Sequence, residues 1–229
     1  MTVCEQYPNL VKYINVCDYS VLELSLILIG TIFWNVVYVI IIRNGLRHKY
    51  VEMPVPAAAS NLAWEFVWGF LFVTDLGLVF VWGLRIWFFL DLFIFYCVVK
   101  YGDKQLSTPL LIKYFKPIEI LLALAWTLAF YLFIKEGYDT SMGATSAYII
   151  TVIMAFFYIY FFLSAGNEDK YSFTAAWCKM VGNTLMTVFV FIHYPTLELL
   201  KFLTIIVLIL NVLYVIVVKR HQNTVKIAG

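Results

Sequence analysis

Residues 60–70 read Ser-Asn-Leu-Ala-Trp-Glu-Phe-Val-Trp-Gly-Phe, apolar enough for a bilayer except for one acid, Glu65, between Trp64 and Phe66. A charge at that depth costs roughly a few kcal/mol even on insertion scales, so an intramembrane acid is read as functional, with a partner to be found. Desolvation favours the neutral form of a carboxyl group. A neutral acid among indole and phenyl rings is a proton donor facing whatever enters beside it. The competing reading is a structural acid hydrogen-bonded to a neighbouring helix.

Other residues match Glu65 in depth. The segments that hold them are apolar spans at Val21–Ile42, Ala57–Val73, Leu78–Val99, Ile118–Ile134, Ala144–Ala165, Phe173–Ile192 and Leu197–Val218. Each is near the roughly 20 residues that cross a hydrocarbon core, the second and fourth being shortest. With 63% hydrophobic and 13% charged residues and a mean hydropathy of +0.88, the composition is that of a polytopic membrane protein. The expected fold is therefore an all-α membrane protein with seven transmembrane helices, a single domain over residues 1–229. A net charge of +2 without a basic patch beyond the span flanks argues against a nucleic-acid partner. The N-terminal stretch carries Glu5 and Asp18 and lacks a basic region followed by an apolar run, so no cleaved signal peptide is expected.

Lysine and arginine set the expected orientation. Arg43, Arg47 and Lys49 follow span one, Lys100, Lys104, Lys113 and Lys116 follow span three, and Lys219, Arg220 and Lys226 lie in the tail. Lys12, Arg85, Lys135 and Lys201 stand opposite. The N-terminal segment 1–20 is thus expected outside or in the lumen, and the tail 219–229 in the cytoplasm. Cys4 and Cys17 fall in the external segment, where oxidising conditions permit a disulfide. Cys97 and Cys178 lie inside spans and read as small apolar residues.

At about 1.5 Å of rise per residue, Asn35, Glu65, Asp91, Lys179 and Asn211 all lie roughly 9–14 Å inside the cytoplasmic boundary. Five polar residues from five spans at one level read as a shared layer around a cavity open to the cytoplasmic leaflet, or as interhelical hydrogen bonds without a cavity. Trp64, Trp68, Trp126, Trp177 and Tyr214 are candidate linings, since aromatic faces attract cations; packing and interfacial anchoring are the alternatives. Ala63-Trp64 with Gly69 echoes Ala176-Trp177 with Gly182, which would place spans two and six in equivalent positions of a repeat. No aspartate-rich diphosphate motif, His-Glu-x-x-His or phosphate loop occurs, so no metal or cofactor is expected. Lys179 is the one candidate for a retinal-type Schiff base, and span seven has no lysine before Lys219.

Asn61-x-x-Trp64-Glu65-Phe66, Arg85-x-Trp87-x-x-x-Asp91 and Trp177-x-Lys179-x-x-Gly182-x-Thr184, with the number and order of spans, resemble a known family. It comprises the small seven-span membrane cyclases that fold prenyl chains into meroterpenoids and indole diterpenes. The resemblance covers most of the chain and implies a metal-independent terpene cyclase. Its substrate would be a prenylated lipophilic small molecule, with or without a terminal epoxide. In that family a glutamate in span two works with an aspartate in span seven to protonate the epoxide or alkene. Glu65 matches the first; Asn211 stands where the aspartate is expected, and an amide orients but delivers no proton. Asp91 is then the candidate second acid or base, or the ion-pair partner of Lys179. Glu65, Asp91 and Asn211 are the expected catalytic set, with Asn61, Trp64, Trp68, Trp126, Trp177, Lys179, Asn183 and Tyr214 around the substrate. The membrane would be the endoplasmic reticulum in a eukaryote or the inner membrane in a bacterium. A small-solute transporter using the same polar layer is the rival, but proline is absent near that depth and transporters break helices at their sites.

The orientation is testable in sealed vesicles. Added protease should cut the tail after Lys219 and the Arg43–Val55 loop only when the cytoplasmic face is accessible; cleavage from the other side would reverse the topology.

Overall fold

The computed structural model describes residues 8–164, 166 and 168–228, and every regular element among them is helical. A short α1 (Pro8–Tyr13) precedes α2 (Val21–His48) and α3 (Val55–Phe66), which runs into a π-helical turn, Val67–Leu71. Then follow α4 (Leu78–Tyr101), α5 (Pro109–Lys135), α6 (Ala144–Ser164), α7 (Phe173–His193) and α8 (Glu198–Ala228). Six of them, all but α1 and α3, are long and apolar enough to cross a membrane.

The segment expected as span two is the exception. α3 and its π-turn give about 25 Å of helix at 1.5 Å per residue, and Ala57, Ala58, Ala59, Ser60, Leu62, Ala63 and Glu65 are all buried. Small residues let the surrounding helices close on it from several sides. The outer helices show lipid-facing rows instead, such as Leu121, Leu124 and Leu128 of α5.

Local chemistry sets the boundaries. Ser20 caps α2 in a reciprocal capping box with Glu23, satisfying two otherwise free N–H groups. α2 ends at Lys49, whose φ of 49° is left-handed. Pro56 and Pro109 stand in the first turns of α3 and α5, where a missing N–H costs nothing. The π-turn leaves the Gly69 carbonyl for Arg85 Nε, which donates to it at 2.9 Å. Single π-turns often sit beside functional sites, and this one begins two residues after Glu65.

The bundle has two ends of different character. At one, Asn15 N donates to the Leu76 carbonyl at 3.0 Å, Tyr19 donates to Asp75 Oδ1 at 2.8 Å, and Glu23 meets His193 Nδ1 at 2.9 Å. Cys17 there is disulfide-bonded; Cys4 lies outside the described residues. At the other end, Gln105 receives the Val55 N–H at 3.1 Å and donates to the Val51 and Met53 carbonyls at 2.5 and 2.9 Å. Glu52 accepts from Ser172 N at 3.1 Å and from Asn44 at 3.4 Å. Burial pushes the Glu52 carboxyl up to about 7, against the opposing pull of Ser172, Asn44 and Lys179.

α2 and α7 approach most closely at two glycines. A Cβ at Gly182 would meet Trp34 Cδ1 at 3.0 Å and the Gly30 carbonyl oxygen at 3.2 Å. Small residues of this kind let membrane helices pack backbone to backbone. Gly182→Ala should therefore destabilise by about 1–3 kcal/mol, whereas Gly83→Ala, where a Cβ meets nothing within 4 Å, should be neutral or mildly stabilising. Thermal unfolding in detergent compares the two; equal behaviour would contradict this packing.

Candidate active site

Asn61 and Glu65 lie one turn apart on α3, and therefore on one face. Tyr38 of α2 donates its hydroxyl hydrogen to Glu65 Oε1. Asn61 Nδ2 donates to the Tyr38 oxygen at 3.0 Å and to Asp91 Oδ2 of α4 at 2.5 Å, and lies 3.4 Å from Glu65 Oε1. The direction of these bonds follows from their chemistry. An amide nitrogen only donates, so Tyr38 accepts from Asn61 and its own hydrogen is committed to Glu65. Oε1 is thereby the accepting oxygen, and Oε2, buried without a partner, is the oxygen that bears the proton when the acid is neutral.

Glu65, Tyr38 and Asn61 line a cavity of about 190 Å³. Its walls include Trp34, Trp64, Trp87, Phe80, Ile150 and Met154, and it extends to Thr74, Leu76, Met142 and Gly143. Gly143 has a φ of +82°, and a Cβ there would fall 2.5 Å from the Trp68 indole, so only glycine fits this part of the wall. The indole N–H groups of the lining are committed to the walls: Trp34 to Asn183 Oδ1 at 3.2 Å, Trp64 to Ser146 Oγ at 2.8 Å, Trp87 to Asn35 Oδ1 at 2.6 Å. Ser146 is held in turn by Asp139. Spending the indole N–H groups on neighbours leaves the π faces of these rings along the cavity, and such faces suit a cation.

The five-residue layer separates into distinct groups. Glu65 and Asp91 share Asn61, but Asp91 stands behind that amide and does not line the cavity. Asn35 holds Trp87. Asn211 makes no bond to Glu65; both its polar side-chain atoms are buried without a partner. Lys179 does not pair with Asp91. Its Nζ lies over the Tyr158 ring at 3.3 Å and the Tyr214 ring at 4.7 Å, against the electron-rich faces of both.

The cavity also lies on the opposite side of the layer from the cytoplasmic opening read from depth. It extends towards the Asp75 end of the bundle, because Tyr158, Phe162, Tyr171 and Tyr214 pack tightly together and fill the Glu52 end. Among the expected substrate contacts, Asn61, Trp64 and Asn183 line the cavity. Trp68 is buried behind Trp64, with ring centroids 6.4 Å apart, and Trp126 stacks on Phe130 at 5.2 Å. Tyr214 and Lys179 belong to the packed half, and Trp177 is 48% exposed on the outer surface. The exposure of Trp177 also removes the equivalence with Trp64 on which the sequence echo rested. Tyr38, Trp34 and Trp87 went unread as site residues. The signal was present on α2, where Trp34 and Tyr38 are four residues apart and share one face.

Residues 15–218 match the model of the Pyr4-like transmembrane terpene cyclases. Terpene cyclase macJ of Penicillium terrestre is 26% identical over 175 residues, 72% of this chain and 66% of macJ. Terpene cyclase ascF of Acremonium egyptiacum is 37% identical over 73 residues, covering 32% of this chain and 26% of ascF. The Pyr4-family terpene cyclase mfmH of Annulohypoxylon moriforme is 31% identical over 81 residues, 35% of this chain and 33% of mfmH. The chain thus spans just under two thirds of macJ and about a quarter to a third of the other two. No solved structure matches. The match over residues 15–218 covers most of the chain, and the chain belongs to the Pyr4-like transmembrane terpene cyclase family.

Proposed function

We propose that this protein is a membrane-embedded terpene cyclase that protonates an alkene or epoxide of a prenylated lipophilic small molecule. In this reading α3 is a seventh, inner span, the N-terminal segment is external and the tail is cytoplasmic. The observation that carries it is the partnerless Oε2 of Glu65 in an aromatic-walled cavity. The reading requires Glu65 neutral at rest, with its proton on Oε2. That proton passes to the alkene carbon or the epoxide oxygen, and the π electrons of successive double bonds then close the rings. A proton then leaves the carbon beside the last cation and returns to the carboxylate of Glu65, directly or through solvent, which regenerates the acid and makes substrate and product isomers. Trp34, Trp64 and Trp87 supply π faces along the way. Asp91 and Asn61 act by holding Tyr38 and Glu65 in place, and Asn211, which makes no bond to Glu65, has no assigned step. A transporter would need a path onward, and the packed aromatics at the Glu52 end leave the cavity a dead end.

Two substitutions test this. Glu65→Gln keeps the shape and removes the acidic proton, so product formation from prenylated aromatics, assayed without added metal, should fall by at least about 10²–10⁴-fold with the protein still folded. Wild-type turnover by this variant would refute the assignment. Tyr38→Phe removes the donor that fixes the proton on Oε2. It should lower kcat by about ten-fold or more while changing KM little, since the phenyl ring keeps the wall intact; an unchanged kcat would show that the Tyr38–Glu65 bond plays no part in turnover.

A further inference from the structure

Among the described residues, two fully buried polar atoms of the cavity lining have no hydrogen-bond partner: Glu65 Oε2 and Asn183 Nδ2. The first is the proton donor of the proposed reaction. The second is unexplained by it. Asn183 is 4% exposed, on α7, and an unpaired amide donor in so apolar a setting costs about 1–3 kcal/mol unless something accepts from it.

The orientation of that amide does not depend on an arbitrary choice of oxygen and nitrogen. Trp34 Nε1 is a donor only and lies 3.2 Å from the Asn183 side chain, so the atom facing it must be the carbonyl oxygen. The NH₂ group is thereby the free one. Gly182 makes this possible, since any Cβ there would press on Trp34 Cδ1 at 3.0 Å and Nε1 at 3.3 Å. Elsewhere in the lining, Thr151 bonds the Ala147 carbonyl at 2.7 Å, Trp64 bonds Ser146 and Trp87 bonds Asn35.

We infer that Asn183 is a substrate-positioning residue whose Nδ2 donates a hydrogen bond to an acceptor oxygen of the substrate. The inference rests on the cyclase reading and adds to it a chemical requirement: an oxygen acceptor as well as a protonatable double bond or epoxide. The two handles are built on adjacent turns of α2, since Trp34 orients Asn183 while Tyr38 orients Glu65, the two rings lying 6.4 Å apart. A substrate that touches both through a head-group oxygen must fold back on itself, the conformation that ring closure needs, whereas a terminal epoxide would meet both at one end of the chain. The oxygen has two chemical sources, a carbonyl on the head group or the terminal epoxide.

Binding to purified protein in nanodiscs, read by quenching of tryptophan fluorescence, separates the cases without requiring turnover. The probes are para-farnesylacetophenone, para-farnesyl-ethylbenzene (carbonyl replaced by methylene), and the terminal epoxide of the latter. Wild type should bind one oxygenated probe about ten-fold more tightly than the hydrocarbon, the size expected of a buried neutral hydrogen bond. A preference for the ketone assigns the head group, and one for the epoxide assigns the chain terminus. In Asn183→Leu the ratio should fall to within about two-fold of one. Equal binding of all three probes by wild type overturns the inference, even if the variant fails to fold. So does a preference that survives in a folded Asn183→Leu protein. Loss of product with the binding preference intact would count against the cyclase reading alone.

Discussion

A carboxyl group inside an apolar bundle must be held by donors or it is too costly to keep, and the surroundings of Glu65 follow from that constraint. One oxygen is held by Tyr38 and approached by Asn61; the other is buried without a partner. The division is directional, because the Asn61 nitrogen can only donate to Tyr38, and the single hydroxyl hydrogen of Tyr38 is then left for Glu65. A symmetric arrangement, with both oxygens satisfied, would serve stability better and chemistry not at all. In the proposed reaction, the unsatisfied oxygen is where stability is given up for reactivity.

The same constraint explains why the shortest hydrophobic helix sits at the centre. α3 offers small residues on several faces, so Tyr38 of α2, Asp91 of α4 and Ser146 of α6 can reach its polar side chains. The bundle around it then divides its labour. The Glu52 half is filled with tyrosine and phenylalanine rings, on two of which Lys179 rests. The Asp75 half is hollow, and its indoles are pinned by wall residues. Packing on one side and emptiness on the other make a closed-ended chamber, which suits a reaction whose intermediates must be kept from water.

Much of this was legible in the sequence, and the parts that were not have physical reasons. Span boundaries followed hydropathy, so α4, α6, α7 and α8 begin at or within one residue of expectation. Glu65 stood out because charge in lipid is rare. Depth counting placed Asn35, Asp91, Lys179 and Asn211 at one level, but it measures height along a helix and not azimuth around it. It therefore could not tell that Lys179 points at the Tyr158 and Tyr214 rings, or that Asn211 makes no bond to Glu65. Trp177 was misread for the same reason: its spacing matches that of Trp64 while its side chain faces outwards. Tyr38 was passed over because a tyrosine costs little in a membrane interior and so raises no alarm, although its hydroxyl is what orients the acid.

The central claim is that a neutral Glu65 carries its proton on the oxygen that has no partner. The most direct measurement is the infrared difference spectrum between wild type and Glu65→Gln in membranes at neutral pH. The account predicts that a protonated-carboxyl carbonyl band is present in wild type, disappears in the variant, and shifts when a farnesyl-bearing ligand enters the cavity. Loss of a carboxylate band instead, or no difference in the carbonyl region, would show that Glu65 is not the resting proton donor and would contradict the account.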